Sequence, residues 1–460
     1  MLFPTVTFAV FFLIVLPTSW ALMRHQRAWR WFILAASFVF YGWWDWRFVF
    51  LLVASIVVNQ TLAVAINRAE KAAPRKALLG LAVGFDLGIL AYFKYTNFFL
   101  SSADNVLGTS WIANVTLPVG VSFYTFMAIS YVVDTYRREL VPTTPMKFAV
   151  FQAFFPHLVA GPIVRASELL PQLDEPRDPR RVDTSRAFGL IVSGLFLKVV
   201  IANHLASHIV DAVFAAPERH SSLEVLVGVY GYAVQIFADF CGYTNIAIGV
   251  ALLLGFQFPQ NFASPYTAVS LQDFWRRWHM TLSRWLRDYL YIPLGGNRKG
   301  RLMTYRNLML TMLLGGLWHG AAWTFVVWGG IHGVGLCIER ATGWRPRTRA
   351  QEWLGRLLTF HVVCLAWIFF RADSFGTARQ VLVRLFDAWG QSSPLVTTSV
   401  VLAIAVGIVA QYIRPTTVTS VLHGFGSLPI VAQAACVAVS LTLINTLGPT
   451  GVAPFIYFRF

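Results

Sequence analysis

The chain has 460 residues, 57% of them hydrophobic and 13% charged. A soluble globular domain carries about a quarter charged residues, so this balance excludes one and leaves an all-α polytopic membrane protein. The formal charge of +16 would point to nucleic acid in a soluble chain, but here it reads as the positive-inside excess of cytoplasmic loops and as attraction to anionic lipid.

The first apolar run, near 2 to 23, has no basic start and no small-residue cleavage site, and Arg24, Arg27 and Arg30 come after it. That order predicts a retained span with the N-terminus outside, not a signal peptide. Apolar stretches follow near 31 to 44, 47 to 66, 77 to 100 and 116 to 134. Their basic clusters, Arg24 to Arg30, Arg68 to Lys76 and Arg137 to Lys147, fall on one side, and the breaks at Asp45 and Asp104 on the other. The stretch from 31 to 44 is short for a span and is expected to tilt or to sit in thinned lipid.

Phe148 to Arg165 is apolar but broken by Pro156, Gly161 and Pro162, and predicts a re-entrant or interfacial element in which His157 bonds to local backbone. Asp174 to Arg186 reads as a cytoplasmic loop. Spans near 187 to 214 and 226 to 255 follow. The second carries Asp239, and a carboxylate at depth costs several kcal/mol unless paired or hydrated, so either a structural partner or a cavity-lining role is expected. Cys241, Cys337, Cys364 and Cys436 lie far apart in apolar sequence without metal or redox spacing, which predicts small buried hydrophobes and no metal site.

From Ser270 onward the chain changes character. At 100° per residue Phe274, Trp275, Trp278, Leu282, Trp285, Leu286 and Tyr289 gather on one arc, and Arg277, Arg284, Arg287 and Asp288 on the other. The pattern predicts one interfacial helix in the headgroup layer, capped by Ser270 with Asp273 and ended by Pro293, Gly295 and Gly296. His279, beside Arg276 and Ser283, falls at the border of the arc and is expected to face the seam between bilayer and water. Asn297, Arg298, Lys299 and Arg301 then form a cationic loop suited to the phosphates of a donor.

Between Asn307 and Cys337 there is no Lys, Arg, Asp or Glu, and both flanks are basic. A segment that enters and returns on one side predicts two short helices of about 12 to 15 residues, broken by glycines, each too short for a core of about 30 Å. His319, near the turn, is then expected deep in the membrane, where broken backbone must be buried in protein or line a cavity. His332 lies toward the far end, with helix packing as its plainer role. Spans near 356 to 370, 396 to 413 and 428 to 447 complete the chain, with an amphipathic piece from Arg371 to Gln391 on a membrane face. No repeat or soluble segment interrupts this, so residues 1 to 460 read as one integral membrane domain of about ten or eleven spans.

The run FWRRWHMTLSRWLRDYLYIPLGGNRKG, followed by GGLWHGAAWTFVVWGGIHG, resembles the signature of the membrane-bound O-acyltransferases, in particular the bacterial branch of alginate O-acetylation proteins. YGWWDWRFVFLL, LPVGVSFYTFMAISYVVD, FFPHLVAGPIVR and the closing PFIYFRF resemble that branch too, so the likeness runs end to end. Cys241 and Asn245 stand where the family usually shows serine and aspartate. The resemblance implies a helical fold around a central tunnel, His319 as the catalytic histidine and His279 as its helper.

Moving an acyl group from a thioester to an oxygen needs a base for the incoming hydroxyl and donors for the oxyanion. A neutral histidine in an apolar setting supplies the first, and the indole N–H of Trp318 or Trp323 the second. Trp275, Arg276, Arg277, Ser283, Arg287, Asn297, Arg298, Lys299, His332 and Asp239 complete the candidate site. The resemblance implies acetyl-CoA as donor substrate, no tightly bound cofactor, a bilayer of the inner or plasma membrane, and an extracytoplasmic partner protein or glycan as recipient. D-alanyl transfer to a cell-wall polymer is the alternative within the class. A transporter, a different class, would show paired broken segments in two halves, and none is seen.

Overall fold

The computed structural model describes residues 1–107, 113, 115–449 and 455. Those residues form helices and no strands, as a chain that must satisfy its backbone inside lipid requires. They group into two compact units, 1–187 with 247–259 and 188–246 with 260–460.

The first unit contains α1 (Val6–Leu22), α2 (Gln26–Gly42), α3 (Arg47–Arg68), α4 (Ala72–Ala103), α5 (Val121–Arg137) and α6 (Pro145–Ala153). Its core forms around α5, where Tyr124, Met127 and Tyr131 are 0% exposed. The predicted broken element after Phe148 is the later part of α6 followed by the short helix Phe155–Leu158, and from Val150 to Leu158 every residue is buried in protein. His157 Nε2 lies 2.8 Å from the carbonyl of Phe151 and therefore donates to it, the local role expected of it.

The second unit contains most of α7 (Thr184–Ala215) and of α8 (Ser222–Leu253), then α9 (Leu271–Arg277), α10 (Met280–Leu286), α11 (Gly300–His319), α12 (Trp323–Thr342), α13 (Arg349–Arg371), α14 (Phe375–Asp387), α15 (Thr398–Tyr412), α16 (Pro415–Gly426) and α17 (Ile430–Leu447). The expected amphipathic piece is α14, whose Ala378 and Val381 are buried while Phe386 is 80% exposed.

Six of the described helices are long and apolar enough to cross a membrane, or seven if α15 and α16, bent by 95°, count as one span. The ten or eleven apolar stretches read from sequence are more numerous because several fold as shorter helices. α1 and α2 have 17 residues each, about 26 Å at 1.5 Å per residue, against a core of about 30 Å.

Candidate active site

The helix expected from Ser270 onward begins as foreseen. Ser270 Oγ accepts the Asp273 N–H at 3.1 Å and Asp273 Oδ2 accepts the Val269 N–H at 3.2 Å. A carboxylate from α12 completes the cap: Glu339 accepts the N–H groups of Leu271 and Gln272. Negative charge there satisfies orphan donors and matches the positive end of the helix.

The single interfacial helix is not what forms. α9 stops at Arg277, Trp278 is extended, and His279 takes left-handed backbone angles (φ 41°, ψ 54°), which a residue with a side chain adopts only when its surroundings enforce it. The cause lies in segment 261–263. Ala263 donates to the Arg277 carbonyl and Met280 donates to the Asn261 carbonyl, both at 2.9 Å. Asn261 Oδ1 also takes the Thr281 N–H at 3.2 Å and the Thr281 hydroxyl at 2.9 Å. Asn261 thus occupies donors that a continuous helix would have used itself.

The break turns His279 inward. Trp278 and His279 are both 0% exposed, so His279 does not face the bilayer–water seam. The apolar arc packs on protein: Trp278 meets Phe262 and Trp367, each with ring centres 5.0 Å apart.

α11 and α12 form a hairpin turning at Gly320–Ala322. Each has 20 residues, longer than expected, because the glycines do not break the helices. They let them touch. A Cβ on Gly316 would stand 2.2 Å from the Phe325 carbonyl oxygen, and one on Gly329 2.2 Å from that of Met312. His319 is the last residue of α11 and is 2% exposed. Its ring centre lies 5.1 Å from Trp318, 5.0 Å from Trp328, 5.4 Å from Phe370 and 6.3 Å from His279.

The fold therefore brings His279, His319 and Trp318 together. Trp275 and His332 join through Trp328, which is 5.7 Å from the first and 4.9 Å from the second. His332 is fully buried among aromatic rings. Other candidates sit elsewhere. Trp323 is 55% exposed, so its indole is not enclosed with the imidazoles. Ser283 donates to the Trp278 carbonyl at 3.2 Å. Arg277 pairs with Asp273 at 2.9 Å, and Arg287 with its neighbour Asp288 at 2.6 Å. Arg276, Asn297, Arg298 and Lys299 lie exposed on the surface. Asp239 is paired with Lys198, both side chains almost wholly buried, which decides for the structural partner.

Sequence reading missed Asn261, Phe240, Trp328 and Phe370. Phe240 meets the His279 ring edge-on at 4.6 Å. Trp328 lies within the quoted run GGLWHGAAWTFVVWGGIHG but was not singled out there, the other three lie outside the quoted runs, and Asn261 is 18 residues before the histidine it touches. Among the described residues no group of three or more His, Cys, Asp or Glu is placed to hold a metal.

An all-helical chain with several membrane-length apolar helices agrees with comparison to known proteins. The model of the membrane-bound O-acyltransferase family matches residues 89–377. The chain belongs to that family. It is 42% identical over 370 residues to a probable alginate O-acetylase of Pseudomonas aeruginosa, covering 77% of this chain and 68% of that protein. It is 38% identical over 383 residues to the peptidoglycan O-acetyltransferase of Helicobacter pylori, covering 76% and 72%. A teichoic acid D-alanyltransferase of Bacillus subtilis is 28% identical over 279 residues, covering 56% and 69%. This membrane-bound O-acyltransferase is a multi-pass membrane enzyme that passes an acyl group to a hydroxyl.

Proposed function

We propose that this O-acyltransferase takes acetyl from acetyl-CoA at the cytoplasmic face of the inner or plasma membrane. It delivers the acetyl group to a hydroxyl of an extracytoplasmic polysaccharide or of a partner protein. The observation that carries this reading is the pair of buried imidazoles, His279 and His319, with ring centres 6.3 Å apart.

In the transfer, an imidazole takes the proton of the acceptor hydroxyl as its oxygen bonds to the thioester carbonyl carbon. The carbon–sulfur bond then breaks and the proton passes to the departing thiolate. The Trp318 indole N–H is the donor for the oxyanion. The exposed Arg298 and Lys299 supply charge for the phosphates of coenzyme A. Both imidazoles lie below the protein surface, so this reading requires that the chain open a way inward for thioester and acceptor.

The relatives named for O-acetylation cover more of this chain, at higher identity, than the one named for D-alanyl transfer, which favours acetyl. Membranes carrying the protein, supplied with acetyl-labelled acetyl-CoA, are expected to move label into polysaccharide or partner. A D-alanyl-charged carrier protein is expected to give none. Transfer from the carrier and not from acetyl-CoA would overturn the donor.

A further inference from the structure

We infer that Asn261 is a positioning residue that holds the His279 proton on Nδ1, leaving Nε2 as the nitrogen that takes the acceptor proton. This rests on the acyl-transfer reading of the two histidines.

Asn261 is 1% exposed and His279 0%, so their bonds form without competing water. The atom of Asn261 that meets the Thr281 backbone N–H at 3.2 Å must be an acceptor, because a backbone N–H can only donate. That fixes the amide with its oxygen at this point. The same oxygen takes the Thr281 hydroxyl at 2.9 Å and lies 3.1 Å from His279 Nδ1. An amide oxygen has no hydrogen to give, so Nδ1 donates.

A neutral imidazole has one N–H, so Nε2 then holds a lone pair. Nε2 is buried with no hydrogen-bond partner among the described residues. A buried acceptor without a donor has lost its water and gained nothing in return, and an incoming hydroxyl relieves that cost.

The clamp is built twice over, since the Asn261 carbonyl also accepts the Met280 N–H at 2.9 Å. It is the same residue that forces the left-handed turn and so aims the ring. Around the ring stand Phe240, Trp318 and His319, and of these His319 titrates. During transfer, Nε2 receives the hydroxyl proton as the new carbon–oxygen bond forms. It then gives that proton to the thiolate released when the carbon–sulfur bond breaks.

The test is the pH profile of thiol release from acetyl-CoA by membranes containing the protein, over membranes without it, between about pH 5 and pH 9. Asn261→Asp keeps an oxygen at Nδ1 but adds charge, which favours imidazolium. Activity that needs a neutral ring is lost as pH falls, so its acid limb is expected to move up by about one unit or more. Asn261→Leu removes the acceptor and is expected to lower kcat by about 10²–10⁴ with little change in the KM for acetyl-CoA.

An unmoved acid limb in Asn261→Asp overturns the assignment. So does a kcat near the parent's in Asn261→Leu. If Asn261→Leu does not accumulate, the Asn261→Asp limb decides alone. Full activity in His279→Ala would instead overturn the acyl-transfer role of that histidine, and so separates the two failures.

Discussion

A carboxylate and an ammonium buried face to face inside a membrane protein are held together by necessity. Lys198 sits in a π-helical stretch, Phe196–Ala202, and Asp239 in the buried middle of α8. Removing one partner leaves the other charged in a low-dielectric interior. Lys198→Met is therefore expected to cost about 3–5 kcal/mol, whereas Lys198→Met with Asp239→Leu together should recover most of it. Thermal unfolding in detergent of the single and double variants checks this, and a double variant as unstable as the single would contradict it. Asp239 illustrates what sequence can and cannot give. Its cost at depth was legible, but its partner is 41 positions away by numbering (239 minus 198) and lies inside an apolar run. His279 and His319 were legible because each sits in a dense motif. Asn261 was not, because it acts through a contact that no local spacing encodes.

At the scale of elements, the helix hairpin and the broken helix follow different physics. Ridges of small residues let α11 and α12 pack backbone to backbone, as helices do where lipid offers no hydrophobic drive between them. Gly329→Ala places a methyl where 2.2 Å separates it from the Met312 oxygen. The helices must part, at a cost of about 1–3 kcal/mol, and His319 at the hairpin tip moves with them. A lower Tm together with reduced acyl transfer is expected, and an unchanged Tm would contradict the close-packing role. The same glycines read from sequence as helix breakers because glycine weakens an isolated helix. In the folded chain, packing outweighs that propensity. The reverse holds for Trp278 and His279, where a good amphipathic period was overridden by the hydrogen bonds of the 261–263 segment. Periodicity reports which face is apolar and not whether protein or lipid covers it.

Over the whole molecule, the basic residues fall in clusters between apolar helices, and the excess of +16 lies in those clusters. Positive-inside orientation predicts Arg24, Arg27 and Arg30, and the loop around Arg180, in the cytoplasm, and the start of α1 outside. In a background lacking the native cysteines, Thr5→Cys is expected to react with a membrane-impermeant maleimide in intact cells, and Arg180→Cys only after the membrane is opened. The opposite pattern would invert the topology. The span boundaries near α3, α4, α7, α8 and α17 were close to those read from sequence, because long apolar runs between charges leave little freedom, whereas α13 begins two turns earlier than read, at Arg349.

The two-imidazole interior is the centre of the account, and its most direct measurement is acyl transfer from acetyl-CoA by His279→Ala, His319→Ala and the double variant at equal membrane levels. Residues acting as one unit lose activity non-additively, so each single change is expected to lower the rate by about 10²–10⁴, and the double change scarcely further. Near-parental rates in either single variant, or a double loss equal to the product of the two single losses, would contradict a shared site.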